Sequence, residues 1–255
     1  MEFMMIKFND ENILVTGASD GIGKAICMLL NSLGANVIGV ARSESKLEQI
    51  QQEVQFKEKF HYICRDLSKE LNEIPKLIID ISKEYGKLNG LVFCAGKLEL
   101  LPLKAVSSEN IDNLYNINIK SLLLTTKGFT DKRCSFDNSS IVYISSISSI
   151  IGIKGMSIYS SSKGAINSVV KTLAVELANR GIKINSVLPG HVETNMTLQN
   201  KEANSQEYLN ELESMYPLGV GRPNDVANLV TFLLSDSSRW ITGQNIVIDG
   251  GRTLL

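Results

Sequence analysis

Thr16-Gly17-Ala18-Ser19-Asp20-Gly21-Ile22-Gly23 follows the short apolar run Ile13-Leu14-Val15 and opens directly into a segment of helical period. Ile22, Ala25, Ile26, Leu29, Leu30 and Leu33 form one apolar stripe of that segment, and Gly34 stands where a helix-ending glycine is expected. Strand, glycine turn and helix in immediate succession build a phosphate cradle. Gly17 permits a tight turn, Gly21 lets backbone approach a pyrophosphate, and Gly23 lets helix and strand pack closely, while the helix N-terminus offers free N–H groups and a positive dipole end. A P-loop is excluded, because five residues separate Gly17 from Gly23 and Lys24 is followed by Ala25, so the metal-binding hydroxyl is missing. The spacing is G-x-x-x-G-x-G rather than G-x-G-x-x-G.

Outward from this turn, short apolar runs alternate with helical segments to the end of the chain. Strands are expected at 13–16, 37–40, 61–64, 91–94, 141–144, 183–188 and 245–248, with helices at 22–33, 43–56, 72–85, 108–128, 157–180 and 224–234. Seven largely apolar strands separated by helices describe a doubly wound α/β fold, a seven-stranded parallel sheet covered on both faces. The alternation never breaks for a linker, so one domain is expected over 1–255. A polar excursion at about 197–215, just after the sixth strand, has the character of a lid over a ligand crevice.

With 255 residues, 44% of them hydrophobic, the chain can bury a sizeable core. Lys+Arg 26 against Asp+Glu 27 gives a net charge of −1, which argues against a nucleic-acid partner. No run reaches the length of a membrane helix, and the start of the chain does not have the pattern of a signal peptide. Cys27, Cys64, Cys94 and Cys134 are widely spaced without a CxxC pair, so reduced thiols and a cytoplasmic setting are expected. His61 and His191 are the only histidines, and no cluster has metal-ligand spacing.

Tyr159-Ser160-Ser161-Ser162-Lys163 places a phenol and an ammonium on one helix face. A nearby cation favours phenolate, so such a pair can exchange a proton with a carbonyl or alcohol oxygen. Ser145 and Ser146 end the fifth strand on the ligand edge of the sheet, where a hydroxyl can hold that oxygen.

Taken together, the TGASDGIG turn, Cys94-Ala95-Gly96, Asn118, Ser146, YSSSK, Pro189-Gly190 with Thr194, and the closing run Ile241 to Gly251 resemble the short-chain dehydrogenase/reductase family, over nearly everything from Asn12 to Leu255. The resemblance implies a Rossmann-like domain and a nicotinamide cofactor held by Gly17, Ser19, Asp20, Gly21, Ile22, Gly23, Arg42, Asp66, Leu67, Ala95, Gly96, Tyr159, Lys163, Pro189, Gly190, Val192 and Thr194. It implies Tyr159 as proton donor in reduction and acceptor in oxidation. Lys163 would depress the tyrosine pKa and bond the nicotinamide ribose, Ser146 would position the carbonyl, and Asn118 would hold a relay water. Where the family has Asn-Asn-Ala-Gly this chain has Phe93-Cys94-Ala95-Gly96, which removes an amide that usually braces that corner.

An acid at the end of strand two would select NAD by binding a ribose 2′-hydroxyl; Arg42 stands there instead and suits a 2′-phosphate, so NADP is expected. Asp20 counts against this, since many NADP-using relatives carry a basic residue at its place. The resemblance extends to 3-oxoacyl-acyl-carrier-protein reductases, with Lys132, Arg133 and Arg180 as candidate contacts for an acidic carrier; the polar lid equally suits a sugar or another small polar ketone. A non-enzymatic, cofactor-sensing protein on the same fold is opposed by the intact Asn118, Ser146, Tyr159 and Lys163 set. Helix 157–180 is apolar on more than one face, and the resemblance implies a homotetramer, or a homodimer, built on such helices.

Overall fold

The computed structural model describes residues 6–194 and 212–255, so the lid expected at 197–215 falls almost wholly outside the described residues. Seven strands, β1 (Asn12–Thr16), β2 (Asn36–Ala41), β3 (Phe60–Cys64), β4 (Leu88–Phe93), β5 (Ser135–Ile144), β6 (Lys183–Pro189) and β7 (Asn245–Ile248), form one parallel sheet in the order 3-2-1-4-5-6-7. The chain runs from β1 outward through β3, then returns to the centre and builds the other half from β4 onward. The order therefore reverses between β1 and β4, and ligands of such sheets bind beyond the carboxyl ends of the strands at that switch.

The helices are α1 (Gly21–Ser32), α2 (Glu44–Glu53), α3 (Ile74–Tyr85), α4 (Ser108–Tyr115), α5 (Ser121–Phe129), α6 (Ser157–Glu176) and α7 (Pro223–Leu234). Successive strand residues serve opposite faces. Val15, Val92 and Val142 pack with Ile26 and Leu30 of α1 and Val230 of α7, whereas Leu14, Leu91 and Ile141 pack with Ile78 of α3, Leu122 of α5 and Ile166 of α6. The central strands β1, β2 and β4 are largely apolar on both sides because each side meets helices.

Three departures from the sequence reading have local causes. The helix expected over 108–128 is divided by a π turn at Asn116–Lys120, which places Asn118 at its centre. Strand β5 starts early: Leu88 pairs Ser135 but Gly90 pairs Ser140, so the polar residues between them bulge out, with Asn138 at φ 63°. Helix α7 starts at Pro223 rather than 224, with Arg222 as its cap; the Asp225 carboxylate accepts the Arg222 N–H at 2.7 Å, and Pro223 opens the first turn.

Candidate active site

The glycine turn leaves no room for side chains. Gly17 lies at φ 68°, and a Cβ there would come within 2.7 Å of the Ala95 nitrogen; a Cβ on Gly23 would meet the Gly17 carbonyl oxygen at 2.1 Å. Gly21 faces Thr194, whose methyl would lie 2.9 Å from an added Cβ, so the last described residue after β6 sits over the start of α1. Thr16, buried at the end of β1, accepts the N–H groups of Cys94 and Ala95 at 3.2 Å each. This hydroxyl braces the corner whose usual asparagine is replaced by Cys94. All four cysteines are free, Cys27 and Cys134 buried and Cys64 exposed.

Asp20 caps α1 by accepting the Gly21 N–H at 2.7 Å, and its second oxygen meets the Lys46 ammonium at 2.5 Å. Ser19 and Ile22 flank this cap, Ile22 packing into the core below α1. Arg42, exposed immediately after β2, lies near Asp66 after β3. Burial pushes the Asp66 carboxyl up, but hydrogen bonds from Ser68 and the Arg42 charge outweigh it and hold the group below the ordinary carboxylate value. Leu67 is buried beside the core under α3.

Across the switch point four further side chains converge. Asn118 is fully buried; its Oδ1 accepts the Lys97 N–H at 2.9 Å, and its Nδ2 donates to the Lys97 carbonyl at 3.1 Å and to Ser162 Oγ at 3.0 Å. Its Oδ1 accepts one N–H and so keeps a second lone pair. A Cβ on Gly96 would stand 3.2 Å from Asn118 Oδ1 and 3.5 Å from Lys163 Nζ, so the backbone after β4 lies against both. Lys163 is buried, donates to the Ile144 carbonyl at 2.8 Å, and sits 5.6 Å from the centre of the Tyr159 ring. Burial pushes its ammonium down to about 8, which still leaves it largely protonated at neutral pH. Ser146 stands close enough to Tyr159 for its hydroxyl to favour the ionised phenol.

The electrostatics of Tyr159 differ from the sequence expectation. Burial pushes its phenol up to about 12, with the Ser146 hydroxyl pulling the other way; the lysine one turn on does not depress it. A cation 5.6 Å from the ring, itself tied to a carbonyl, is too weak to offset desolvation. In this state the tyrosine is a proton donor. From the far side, Pro189 ends β6, Gly190 packs against Tyr216 and Asp249, and buried Val192 bridges to Gly221.

A family model described as enoyl-(acyl carrier protein) reductase matches residues 17–253. A 3-oxoacyl-acyl-carrier-protein reductase of Thermotoga maritima is 34% identical over 240 residues, covering 93% of this chain and 96% of that protein. Cyclopentanol dehydrogenase of Comamonas testosteroni is 34% identical over 251 residues, covering 98% and 99%. The chain belongs to the short-chain dehydrogenase/reductase family. Among solved structures, a glucose/ribitol-type short-chain dehydrogenase/reductase from Brucella melitensis superposes with a TM-score of 0.90 at 27% identity, covering 98% of this chain and 99% of that one. The structure of ElxO with NADP bound superposes with a TM-score of 0.86 at 28% identity, covering 96% of this chain and all of the other (100%).

Within this short-chain dehydrogenase/reductase, the sequence reading missed Thr16, Lys46, Lys97 and Ser162 as parts of the site. Only Thr16 left a trace, a polar residue closing an otherwise apolar strand. The basic residues considered for a carrier protein lie elsewhere. Arg180 follows α6 at the amino-terminal edge of the sheet, opposite Ser146, and is 11% exposed. It donates to Asp137 Oδ1 at 2.8 Å, to the Thr130 carbonyl at 2.7 Å and to the Ser135 carbonyl at 3.1 Å, while Arg133 pairs Asp131 at 2.7 Å. Both are occupied in holding the β5 bulge and its approach. Arg180→Ala should therefore cost about 2–3 kcal/mol of stability by urea unfolding, since a nearly buried guanidinium is lost and its acceptors on Asp137, Thr130 and Ser135 are left without a donor. Turnover measured below the unfolding transition should stay at wild type.

Proposed function

We propose that the protein interconverts a carbonyl and a secondary alcohol by NADP(H)-dependent hydride transfer, with Tyr159 as general acid and base. The observation that carries this reading is the convergence of the Tyr159 phenol, the Ser146 hydroxyl and the Lys163 ammonium beside Gly96, at the switch point where the glycine turn offers a cradle. The turn suits a dinucleotide, because backbone contacts at Gly17 and Gly23 hold the start of α1 tightly against the end of β1 at the switch point, where its N-terminus can meet a pyrophosphate. When bound, the nicotinamide supplies or accepts the hydride. Gly17, Gly21 and Gly23 with the start of α1 hold the pyrophosphate, Arg42 takes the 2′-phosphate, and Asp66 and Leu67 border the adenine. Ala95, Gly96, Pro189, Gly190, Val192 and Thr194 enclose the nicotinamide half, and Lys163 reaches the ribose. Ser146 would donate to the substrate oxygen and orient it, and Tyr159 would give its proton to that oxygen in reduction or take it back in oxidation. Asn118 braces the floor.

The loops that rise from the ends of β4 and β5 carry exposed Leu100, Leu103, Ile150 and Ile153. Leu101 donates to the Gly155 carbonyl at 2.7 Å, which joins the two loops four residues before Tyr159. Such a rim favours an apolar carbonyl over a sugar. Relatives named for a 3-oxoacyl reductase and for cyclopentanol dehydrogenase support the same class. We place the enzyme in the cytoplasm, as a homotetramer or homodimer built on the second apolar face of α6; Val175 of that helix is 79% exposed.

The test is NADPH oxidation against a panel of 3-oxoacyl thioesters, cyclic ketones and ketose sugars. The thioesters or cyclic ketones should exceed the sugars in kcat/KM by at least about tenfold, the discrimination that one or two buried methylenes give. Preference for a sugar would overturn the assignment of substrate class.

A further inference from the structure

Ser146 acts through its hydroxyl, so its direction is set by whatever holds its backbone. The residue is extended, at φ −167° and ψ 152°, and caps the short 3-10 turn Ile147–Ser149. Its carbonyl accepts the Ser149 N–H at 3.1 Å and the Ser149 hydroxyl at 2.5 Å. The Ser149 oxygen in turn accepts the Asn167 Nδ2 at 2.8 Å. On the other side of Ser146, the buried Ser145 hydroxyl is shared between Asn167 Oδ1 at 2.8 Å and the Lys163 carbonyl at 3.1 Å. Both ends of one amide are thus spent on the two neighbours that fix Ser146.

Asn167 stands four residues after Lys163 and eight after Tyr159, so all three share one face of α6. The helix is itself anchored at this point: Asn245 donates to the Asn167 carbonyl at 3.2 Å, and its own Oδ1 accepts the Ser186 hydroxyl at 2.6 Å. A polar chain therefore runs from β6 and β7, through α6, to the end of β5. An amide whose donor and acceptor are both used has one orientation, and a chain so connected transmits a position rather than merely filling space.

We propose that Asn167 is a positioning residue of the active site, locking the Ser145-Ser146 strand end and the Ser149 turn to α6 so that the Ser146 hydroxyl is held against Tyr159. The proposal rests on the reading above that Ser146 and Tyr159 handle the substrate oxygen. The Asn167 amide is spent on Ser145 and Ser149, so its effect is exerted through Ser146.

The test uses Asn167→Ala, Ser149→Ala, their combination and Tyr159→Phe, each assayed as the full chain with NADPH and the most active carbonyl of the panel. Asn167→Ala is expected to lower kcat by about 10- to 100-fold, the cost of a misplaced group in a site that depends on near-attack geometry. The NADPH dissociation constant, read by fluorescence, should stay within about twofold, because both ends of the amide are spent on Ser145 and Ser149. Ser149→Ala, which leaves the packing of α6 intact, should give a loss of the same kind, and the double variant no more than the larger single one. The Ser146 hydroxyl favours ionisation of the phenol, so releasing Ser146 should also move the rise of alcohol oxidation with pH, measured in the reverse direction with NADP, to higher pH. Lys163 and Cys94, the other ionisable groups facing Tyr159, are unchanged by either substitution.

Wild-type kcat and an unshifted pH profile in Asn167→Ala or in Ser149→Ala would overturn the proposal. If Asn167→Ala does not fold, Ser149→Ala alone decides it. If Tyr159→Phe keeps its turnover, the reading of the site fails and the positioning role falls with it. An inactive Tyr159→Phe beside unaffected Asn167→Ala and Ser149→Ala removes the positioning role alone.

Discussion

Tyr159→Phe should lower kcat for carbonyl reduction by about 10²- to 10⁴-fold, the range associated with loss of a positioned proton donor. NADPH affinity and thermal stability should remain close to wild type. The substitution removes one oxygen and leaves the ring, so the apolar contacts of the first turn of α6 and the ring's position 5.6 Å from Lys163 Nζ are kept. What is lost is the proton that balances hydride addition. The direction of the pKa shift adds a pH signature. Burial raises the phenol to about 12, so reduction, which needs the protonated form, should be nearly flat from pH 6 to 9 as set by this group. Oxidation of the alcohol needs the phenolate and should climb with pH across the same interval. Stopped-flow measurement in both directions separates these cases. A Tyr159→Phe enzyme with undiminished turnover would leave the fold without its proposed acid, and would favour a cofactor-sensing role.

The parts of this protein that could be read from its sequence are those encoded by neighbours in the chain. The turn from Thr16 to Gly23 is one, because glycine spacing, strand and helix all lie within a few residues. Tyr159 and Lys163 are another, since a single helical turn relates them. The division of the helix at Asn116–Lys120 was hidden: Asn116-Ile117-Asn118-Ile119 breaks the 3.6 period, but a periodic reading cannot tell a π turn from a polar face. The acidity of Tyr159 was misjudged for a related reason. Spacing revealed the cation, while the burial that raises the phenol is a property of the tertiary fold. Arg180 was visible as a charge, yet only the tertiary fold brings it to Asp137, Thr130 and Ser135 and so removes it from any surface patch. Asn167 left no signal at all. Its partners lie 18 and 22 residues away, on the far side of the turn that it holds.

Arg42→Asp should raise KM for NADPH by about 10²- to 10³-fold, corresponding to the 2–5 kcal/mol typical of losing one partner of a hydrogen-bonded charge pair, while leaving or improving KM for NADH. The sequence offered a conflict here, with Arg42 favouring a 2′-phosphate and Asp20 repelling one. The structure changes the weight of the second term. One Asp20 oxygen accepts the first N–H of α1 and the other is matched by Lys46, reached from α2 across 26 residues of chain. Because the pair is partly exposed, its net stabilisation is small, but its effect on local charge is not, since a carboxylate beside an ammonium at 2.5 Å presents little net field to an incoming anion. Asp66, the other acid near Arg42, is turned into its own hydrogen bonds with Ser68. The end of β2 therefore keeps a positive balance. Lys46→Ala is the control that follows: it should weaken NADPH several-fold by unmasking Asp20, with little change for NADH, and the effect should fade as salt screens the exposed charge. A wild-type enzyme that prefers NADH, or an Arg42→Asp variant with unchanged KM for NADPH, would show that the 2′-phosphate is not read at this corner.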